Sequence, residues 1–396
     1  MSRIVALSTL FGSVSSLALA GGLDRTGQPI DILFEDGNYA ELSFARTMPE
    51  ISGEGLGIAP IPGIFPGFPP GTGYDDVGLP FNSFSASVKF DITEELSAAL
   101  RFSQPFGSDI EYDGDPLRTE LGGTSAFADS DMITALLRYK FTDNWSVHGG
   151  LRIDRASGEI DLGGLAYGAV NGYNVELEER TDVGWVAGVA YEVPEIALRV
   201  ALTYNSAITH DFDTTESGPL VDPDGPGPLP PLPLLDGTST TEVELPRSVN
   251  IDFQTGIAAD TLIFGSFRWA EWSEFRIDPE NFEAVTGGGL VDLQDSRTWT
   301  IGVGRRFTDR FAGQASVSYE ATDSDDLVSP LDPTNGFFAV GLGGAYDVSE
   351  NVVLSAGARY TWFGNSRPET GTPDVARAAF EDNTALTVGV NVGFRF

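Results

Sequence analysis

Residues 384–396 read TALTVGVNVGFRF, and this stretch decides the fold. Leu386, Val388, Val390, Val392, Phe394 and Phe396 fall on one face, while Ala385, Thr387, Gly389, Asn391, Gly393 and Arg395 fall on the other. Strict alternation of this kind means an extended strand with one apolar face. In water, a fully apolar face on such a strand invites edge-to-edge aggregation. Facing lipid, it is at home, so the pattern predicts a strand of a membrane barrel.

Outward from this strand, the same grammar recurs. Polar turns stand at 91–95, 142–144, 193–195, 258–260, 308–310 and 348–350, each between two runs of strand character. Between these hairpins lie long polar or Pro/Gly-rich stretches near 52–79, 110–127, 158–180, 212–243, 277–294, 322–336 and 364–382. Alternating short turns and long loops predicts an all-β, antiparallel transmembrane barrel of about fourteen strands, with short turns in the periplasm and long loops outside. The strands are expected near 39–51, 80–91, 96–109, 128–141, 145–157, 181–193, 196–211, 244–257, 261–276, 295–307, 311–321, 337–347, 351–363 and 384–396. Trp145, Phe141, Phe307 and Phe311 flank short turns, and Trp269, Trp272, Trp299 and Trp362 lie near long-loop ends, as two aromatic girdles would.

Composition agrees and excludes alternatives. No segment offers about 20 uninterrupted apolar residues, so no transmembrane helix is expected. Hydrophobic content is 41% and mean hydropathy is -0.05, values that a barrel reaches because lipid-facing residues alternate with lumen-facing ones. With 0 cysteines, disulfides and thiolate metal sites are excluded, and with 2 histidines, His148 and His210, a multi-histidine metal site is not expected. The net charge of -35 excludes nucleic acid as a partner. Residues 1–20 carry Arg3, an apolar run from Ile4 to Phe11 and small residues ending at Ala20, the order of an export signal. Cleavage after Ala20 would leave Gly21 at the mature end.

Parity assigns the faces of each strand. Val147, Gly149, Leu151 and Ile153 should face lipid, and His148, Gly150, Arg152 and Asp154 the lumen. By the same reading Arg101, Arg138, Arg199, Arg268, Arg306 and Arg359 point inward, because an arginine facing lipid at mid-depth costs about 2–4 kcal/mol. Two roles stay open for these arginines. They brace the barrel against inward acids such as Asp154 and Glu320, or some attract the carboxylate of an amphipathic ligand, for which guanidinium is well shaped. Arg101, Arg138, Arg152 and Arg359 are the candidates for the second role.

Residues 21–37, GGLDRTGQPIDILFEDG, show no strand alternation but carry Ile30, Ile32, Leu33 and Phe34. We read 21–38 as a plug folded back into the lumen, with Ile32, Leu33 and Phe34 against an apolar pocket and the barrel proper spanning 39–396; the alternative is a disordered periplasmic tail. Two outer loops are greasy: 56–70 reads LGIAPIPGIFPGFPP and 226–235 reads PGPLPPLPLL. Their prolines favour extended backbone. Ile64, Phe65, Phe68, Leu232 and Leu234 are expected to form an outer apolar vestibule, or the loops to pack on one another as a lid.

Four segments together resemble a known family, the outer-membrane long-chain fatty acid and aromatic hydrocarbon transporters (FadL/TodX type). They are AALRFSQPFGSDIEYD at 98–113, GWVAGVAYEVPEIALRVALTYNSAITHD at 184–211, the pair LPRSVNIDF and FRWAEWSEF within 245–275, and the hairpin at 295–319. The resemblance covers most of the chain. It implies a fourteen-stranded barrel with an N-terminal hatch, capture by apolar outer loops, and sideways exit where the third strand kinks, here at Ser103, Gln104, Pro105, Phe106 and Gly107. Proline cannot donate to a ladder, so a break at Pro105 makes physical sense. Sideways exit suits a ligand that gains by entering lipid. Arg155 falls near a ligand-binding arginine of the family. The sequence departs from the family in its short hatch, where LFEDGNY at 33–39 stands in place of an Asn-Pro-Ala motif.

The function expected is passive outer-membrane transport of hydrophobic small molecules. The expected partners are that ligand, outer-membrane lipid and lipopolysaccharide, and the barrel-assembly machinery through the strand ending at Phe396. A monomer without cofactor or metal is expected. A general diffusion porin is the alternative, but the segments at 21–37 and 56–70 speak against a water-filled, unplugged lumen. An outer-membrane enzyme needs a nucleophile, base and orienter held together; only His148 is placed inward in a strand, near the short turns, and no such set is favoured. A surface adhesin leaves the apolar plug unexplained.

Overall fold

The computed structural model describes residues 23–60, 67–222, 230–321, 326–371 and 374–396. The export signal at 1–20, Gly21, Ile64 and Phe65 lie outside these residues. Among the described residues, the chain forms a closed 14-strand antiparallel barrel. The strands are β1 (Tyr39–Glu50), β2 (Phe81–Asp91), β3 in two pieces (Leu96–Ser103 and Gly107–Glu111), β4 (Ser125–Lys140), β5 (Trp145–Leu162) and β6 (Tyr173–Val193). There follow β7 (Leu198–Asn205 and Ile208–Ser217) and β8 (Gly237–Leu245 and Ser248–Ala258), both also in two pieces, then β9 (Thr261–Ala270) and β10 (Ser296–Arg306). The ring ends with β11 (Phe311–Glu320), β12 (Asn335–Asp347), β13 (Val352–Gly364) and β14 (Thr384–Arg395). Closure comes from β1 against β14, in register from Tyr39↔Arg395 to Glu50↔Thr384.

Alternation makes this wall. On β5, Val147, Leu151 and Ile153 are exposed to the exterior, whereas His148, Arg152 and Asp154 are buried within. On β14, Val388, Val390 and Phe394 are exposed, and Thr387 and Asn391 are buried. Outward apolar and inward polar residues are what lipid outside and a filled polar lumen inside require.

The structure departs from the sequence expectation in three places. First, β5 and β6 run well past the expected limits, to Leu162 and from Tyr173. There Glu159, Glu176 and Glu178 are exposed while Ile160, Val175 and Leu177 stay buried. Alternation persists, but its outer face is acidic because it stands clear of lipid, and acidity resembles a loop. Second, β7 and β8 break at 206–207 and 246–247, the latter at Pro246, besides the break in β3. Third, Trp272 is not part of a girdle: it is buried inside, on a short 3-10 turn, Trp272–Glu274, that follows β9.

The outer loops fold together. Tyr74, Tyr112, Leu121, Tyr173, Phe282 and Phe380 belong to one buried cluster above the wall. The α-helix Glu280–Thr286 docks there, with Glu216 accepting the backbone N–H groups of Asn281 and Phe282 at 3.0 and 2.9 Å and the Tyr173 hydroxyl at 2.8 Å. A carboxylate at a helix N-terminus satisfies donors that have no partner within the helix.

Candidate functional site

The N-terminal segment runs inside the barrel and is held at two levels. At its upper end it pairs with the break in β3. The Arg25 N–H donates to the Pro105 carbonyl at 2.8 Å, and the Gly107 N–H donates to the Leu23 carbonyl at 3.1 Å. Gly107 is small for a reason: a Cβ there would stand 2.4 Å from the Arg25 guanidinium. Arg25 donates to Asp109 at 2.5 Å and lies over the Phe81 ring at 4.1 Å. Asp24 accepts from Arg268 at 2.7 Å, and Arg268 also donates to Asn250 at 2.8 Å and to Ser248 at 3.0 Å.

The break loosens the neighbouring edge. β2 pairs with β3 only from Ala86↔Phe102 to Asp91↔Ser97, so Phe81 to Ser85 have no ladder partner on β3. The Gln104 side chain spans this gap in part. Its oxygen accepts the Phe84 N–H at 3.1 Å, and its amide donates to Asp131 at 3.1 Å. Pro105 supplies no N–H, so the ladder ends where proline dictates.

At its lower end the segment forms the 3-10 turn Asp31–Phe34. Ile30, Ile32 and Leu33 are buried in a cluster with Tyr39, Ala99, Leu136, Val186 and Ala201. Lys89 donates to the Glu35 and Gly37 carbonyls at 2.6 and 3.0 Å. Arg138 donates to the Leu33 carbonyl at 3.2 Å and pairs with Glu192. Arg101 lies 3.6 Å from both Asp31 and Glu41. Phe34 does not line the apolar cavity described next; its ring sits between the guanidiniums of Arg138 and Arg199, each 4.4 Å from the centroid.

That cavity lies immediately above the segment's upper end. It encloses about 90 Å³ and is walled by Leu23, Phe106, Leu177, Phe212, Val243, Leu245, Trp272, Phe275 and Val291, among others. Phe106 and Trp272 meet edge to face at 5.6 Å. Phe106 and Gly107, at the break in β3, are part of the wall, so cavity and break adjoin. Ala126, Asp129 and Ser130 of β4 close another side, and Asp332, from the loop before β12, contributes a carboxyl. Burial pushes the Asp332 carboxyl up to about 6, against hydrogen bonding from Thr334 that pulls the other way.

The other candidates fall in different places. Arg152 donates to the Ser206 carbonyl at 3.1 Å. Arg359 is buried, lies over the Phe337 ring at 4.9 Å, and has Nε and Nη2 without a hydrogen-bond partner. It lines a second cavity of about 180 Å³, of mixed polar and apolar lining, together with Arg199, Asp252, Phe264, Ser316 and Ser318. Phe68 is half-buried and bridges to Ile58, while Leu232 and Leu234 are exposed; none of the three lines the apolar cavity. Arg155 faces outward and pairs with Glu179 at 2.9 Å, so its placement near a ligand-binding arginine is overturned by parity. His210 is inward as well as His148, because the break in β7 at 206–207 shifts the inward parity from Ala201, Thr203 and Asn205 to Ile208, His210 and Phe212. Its Nε2 lies 3.1 Å from Asp154 and its Nδ1 3.1 Å from Asp182. The residues missed altogether are Trp272, Phe275 and Phe212, whose signal lay in aromatic residues at ends of strands where lipid girdles also draw them.

Comparison with known proteins agrees with this geometry. The model of the outer membrane protein transport protein family (OMPP1/FadL/TodX) matches residues 80–396. No curated protein matches the sequence. Among solved structures, a Pseudomonas aeruginosa FadL homologue superposes with a TM-score of 0.68 at 15% identity, covering 93% of this chain and 92% of that one. The Pseudomonas putida toluene transporter TodX superposes at 0.62 with 14% identity, covering 98% of each chain. The Ralstonia pickettii toluene transporter TbuX does so at 0.62 with 12% identity, covering 98% of this chain and 99% of that one. At such identities the likeness establishes the fold, and the family match establishes kinship: this chain belongs to the OMPP1/FadL/TodX family of outer-membrane transport proteins.

Proposed function

We propose that the protein carries hydrophobic small molecules, long-chain fatty acids or aromatic and aliphatic hydrocarbons, passively across the outer membrane. The observation that carries this reading is an apolar cavity whose wall includes the break in β3 at Phe106 and Gly107. Residues 21–38 act as the hatch, gripping the break through Leu23 and Arg25. A ligand collected at the outer loops, with Phe68, Leu232 and Leu234 and the neighbouring Ile64 and Phe65 as its first contacts, reaches the cavity. It leaves sideways past Ser103 to Gly107, between β2 and β3, where Phe81 to Ser85 lack ladder partners on β3. Transfer into lipid is favourable at about 25 cal/mol per Å² of apolar surface, so no energy source is needed.

For a carboxylated ligand, the four candidate arginines divide. Arg101, Arg138 and Arg152 have partners near at hand in acids or carbonyls, and we assign them to bracing. Arg359, whose Nε and Nη2 have no hydrogen-bond partner, borders the separate chamber and not the apolar cavity, and we assign it to attracting anions there. Export through the signal at 1–20, assembly through the strand ending at Phe396, contact with lipopolysaccharide and a monomeric state complete the reading. No catalytic role is part of it.

The test is uptake by cells lacking their own fatty acid transporter, offered radiolabelled oleate, toluene and a small sugar. Faster uptake of oleate or toluene without the sugar is the expected result. Uptake of the sugar alone, with the barrel verified in the outer membrane, would replace this reading with a diffusion porin.

A further inference from the structure

The N-terminal segment does not fill the barrel. Beside it, the inward faces of β10 and β11 present Thr298, Thr300, Ser316 and Ser318 to the cavity of about 180 Å³, whose lining mixes polar and apolar groups. Below lies a hydrophilic space of about 380 Å³ at the short-turn mouth, bordered by Lys89, Thr93, Lys140 and Glu192 among others. Both spaces are lined by Phe34, Arg199 and Gln254. Neither touches the apolar cavity, which shares no lining residue with them.

At this boundary the Phe34 ring lies against two guanidiniums, those of Arg138 and Arg199, each 4.4 Å from the ring centroid, with Gln254 beside them. Each cation–π contact is worth about 0.5–2 kcal/mol. The ring is held by these contacts and by its edge toward His148 at 6.4 Å, while the backbone beside it is fastened separately through Arg138 and Lys89. The ring can swing without releasing the segment. Arg138 and Arg199 repel each other across it, and a small anion arriving between them offers both cations a better partner than the ring face does. The chamber above adds Arg359, which lines it and whose Nε and Nη2 have no hydrogen-bond partner.

We propose that Phe34 is the seal of a second passage, separate from the apolar cavity, that links the lumen chamber to the periplasmic mouth and admits small anions. This goes beyond hydrophobic transport and does not depend on it, because the two compartments are distinct. The mouth carries carboxylates as well as lysines, and Glu192 and Asp31 stand near Arg138 and Arg199, so selection falls at the constriction, where the two guanidiniums lie against the ring itself.

The chain has 0 cysteines, so an introduced thiol reports one place only. The experiment uses the whole folded protein in detergent, with heat-modifiable migration as the check on folding. Ser316→Cys marks the chamber and Thr93→Cys the mouth. An anionic and a cationic methanethiosulfonate reagent are applied to each. We expect rapid modification at Thr93→Cys and at least tenfold slower modification at Ser316→Cys. Adding Phe34→Ala should speed the chamber reaction at least tenfold, more for the anionic reagent, whereas Phe34→Trp should leave it slow. Fast chamber modification with Phe34 intact, or no acceleration in a folded Phe34→Ala protein, would overturn the seal. Equal acceleration of both reagents would overturn its preference for anions. Hydrocarbon uptake is a separate readout, so failure here leaves the apolar route standing.

Discussion

The wall has two halves of different character. From Thr261 to Arg395, β9 to β14 run unbroken and pair almost residue for residue, with one register shift between Asn335 and Phe337. From Leu96 to Ala258, three of the six strands, β3, β7 and β8, come in two pieces. The apolar cavity lies against the broken half, and the chamber of mixed lining lies mostly against the regular one. Regular pairing satisfies every backbone group within the sheet and leaves nothing to open. Breaks expose edges and turn aromatic side chains inward, which is what a greasy site with a sideways outlet needs. The N-terminal segment joins the halves: Arg25 and Leu23 bond to the broken β3, and Asp24 to Arg268 of the regular β9.

The most severe probe of this contrast is Arg268→Ala, which removes the one reach from the regular half to Asp24. Breaking a buried ion pair from one side costs about 3–5 kcal/mol. Urea unfolding in lipid vesicles should register that loss, and the same change at exposed Arg155 should register almost none. Next comes Ile301→Arg, which places a charge on the lipid face of β10 and should cost about 2–4 kcal/mol at mid-depth. Glu178→Arg, outward on β6 but beyond the lipid, should fall within about 0.5 kcal/mol. If both cost the same, the acidic extension of β6 is not clear of the membrane. In the broken half, Trp272→Ala should weaken toluene or oleate binding about tenfold, which corresponds to ~1.4 kcal/mol, measured by fluorescence or calorimetric titration. Pro105→Ala restores a donor at the break. One new hydrogen bond is worth about 0.5–1.5 kcal/mol, so uptake should fall severalfold while stability holds or rises.

The smallest effect is one of pH. Burial raises Asp332 to about 6, so its neutral form is favoured in the folded protein. Its contribution to stability is present at low pH and declines as pH rises from the ordinary carboxylate range through about 6. Above that, an ionised carboxylate borders the apolar cavity. Affinity for a neutral hydrocarbon should therefore drop by a few-fold between pH 5 and 7, and Asp332→Asn should flatten the profile.

The regular half is also the half that the sequence describes well. The strand expected at 384–396 is β14 at Thr384–Arg395, and those expected at 295–307 and 311–321 are β10 and β11 to within a residue at each end. Alternation is sufficient there because one face meets lipid and the other a packed polar lumen. It fails where that two-solvent rule ends. Above the membrane the outer face of β5 and β6 turns acidic, so Glu159 and Glu176 hide a pattern that Ile160 and Val175 continue. At the breaks only Pro105 and Pro246 leave a mark, since nothing in Ser206-Ala207 distinguishes a bend from a straight strand. The arginines were legible as inward-facing, but their partners were not, because Asp24, Glu192 and the Leu33 carbonyl are brought to them by long-range contacts. Trp272 shows the same limit from the other side: tryptophan near a strand end suits a membrane interface and a cavity wall equally.

The ring closes between Tyr39 and Arg395, the pairing of greatest separation along the chain, and the Phe396 N–H reaches the Asn38 carbonyl at 3.1 Å. Contacts so distant form late, because loop closure must be met before they contribute. The N-terminal segment precedes β1, so it is on hand before there is any enclosure to enter. It need not be threaded through a finished mouth past Lys89, Arg138 and Arg268; the sheet curls round it.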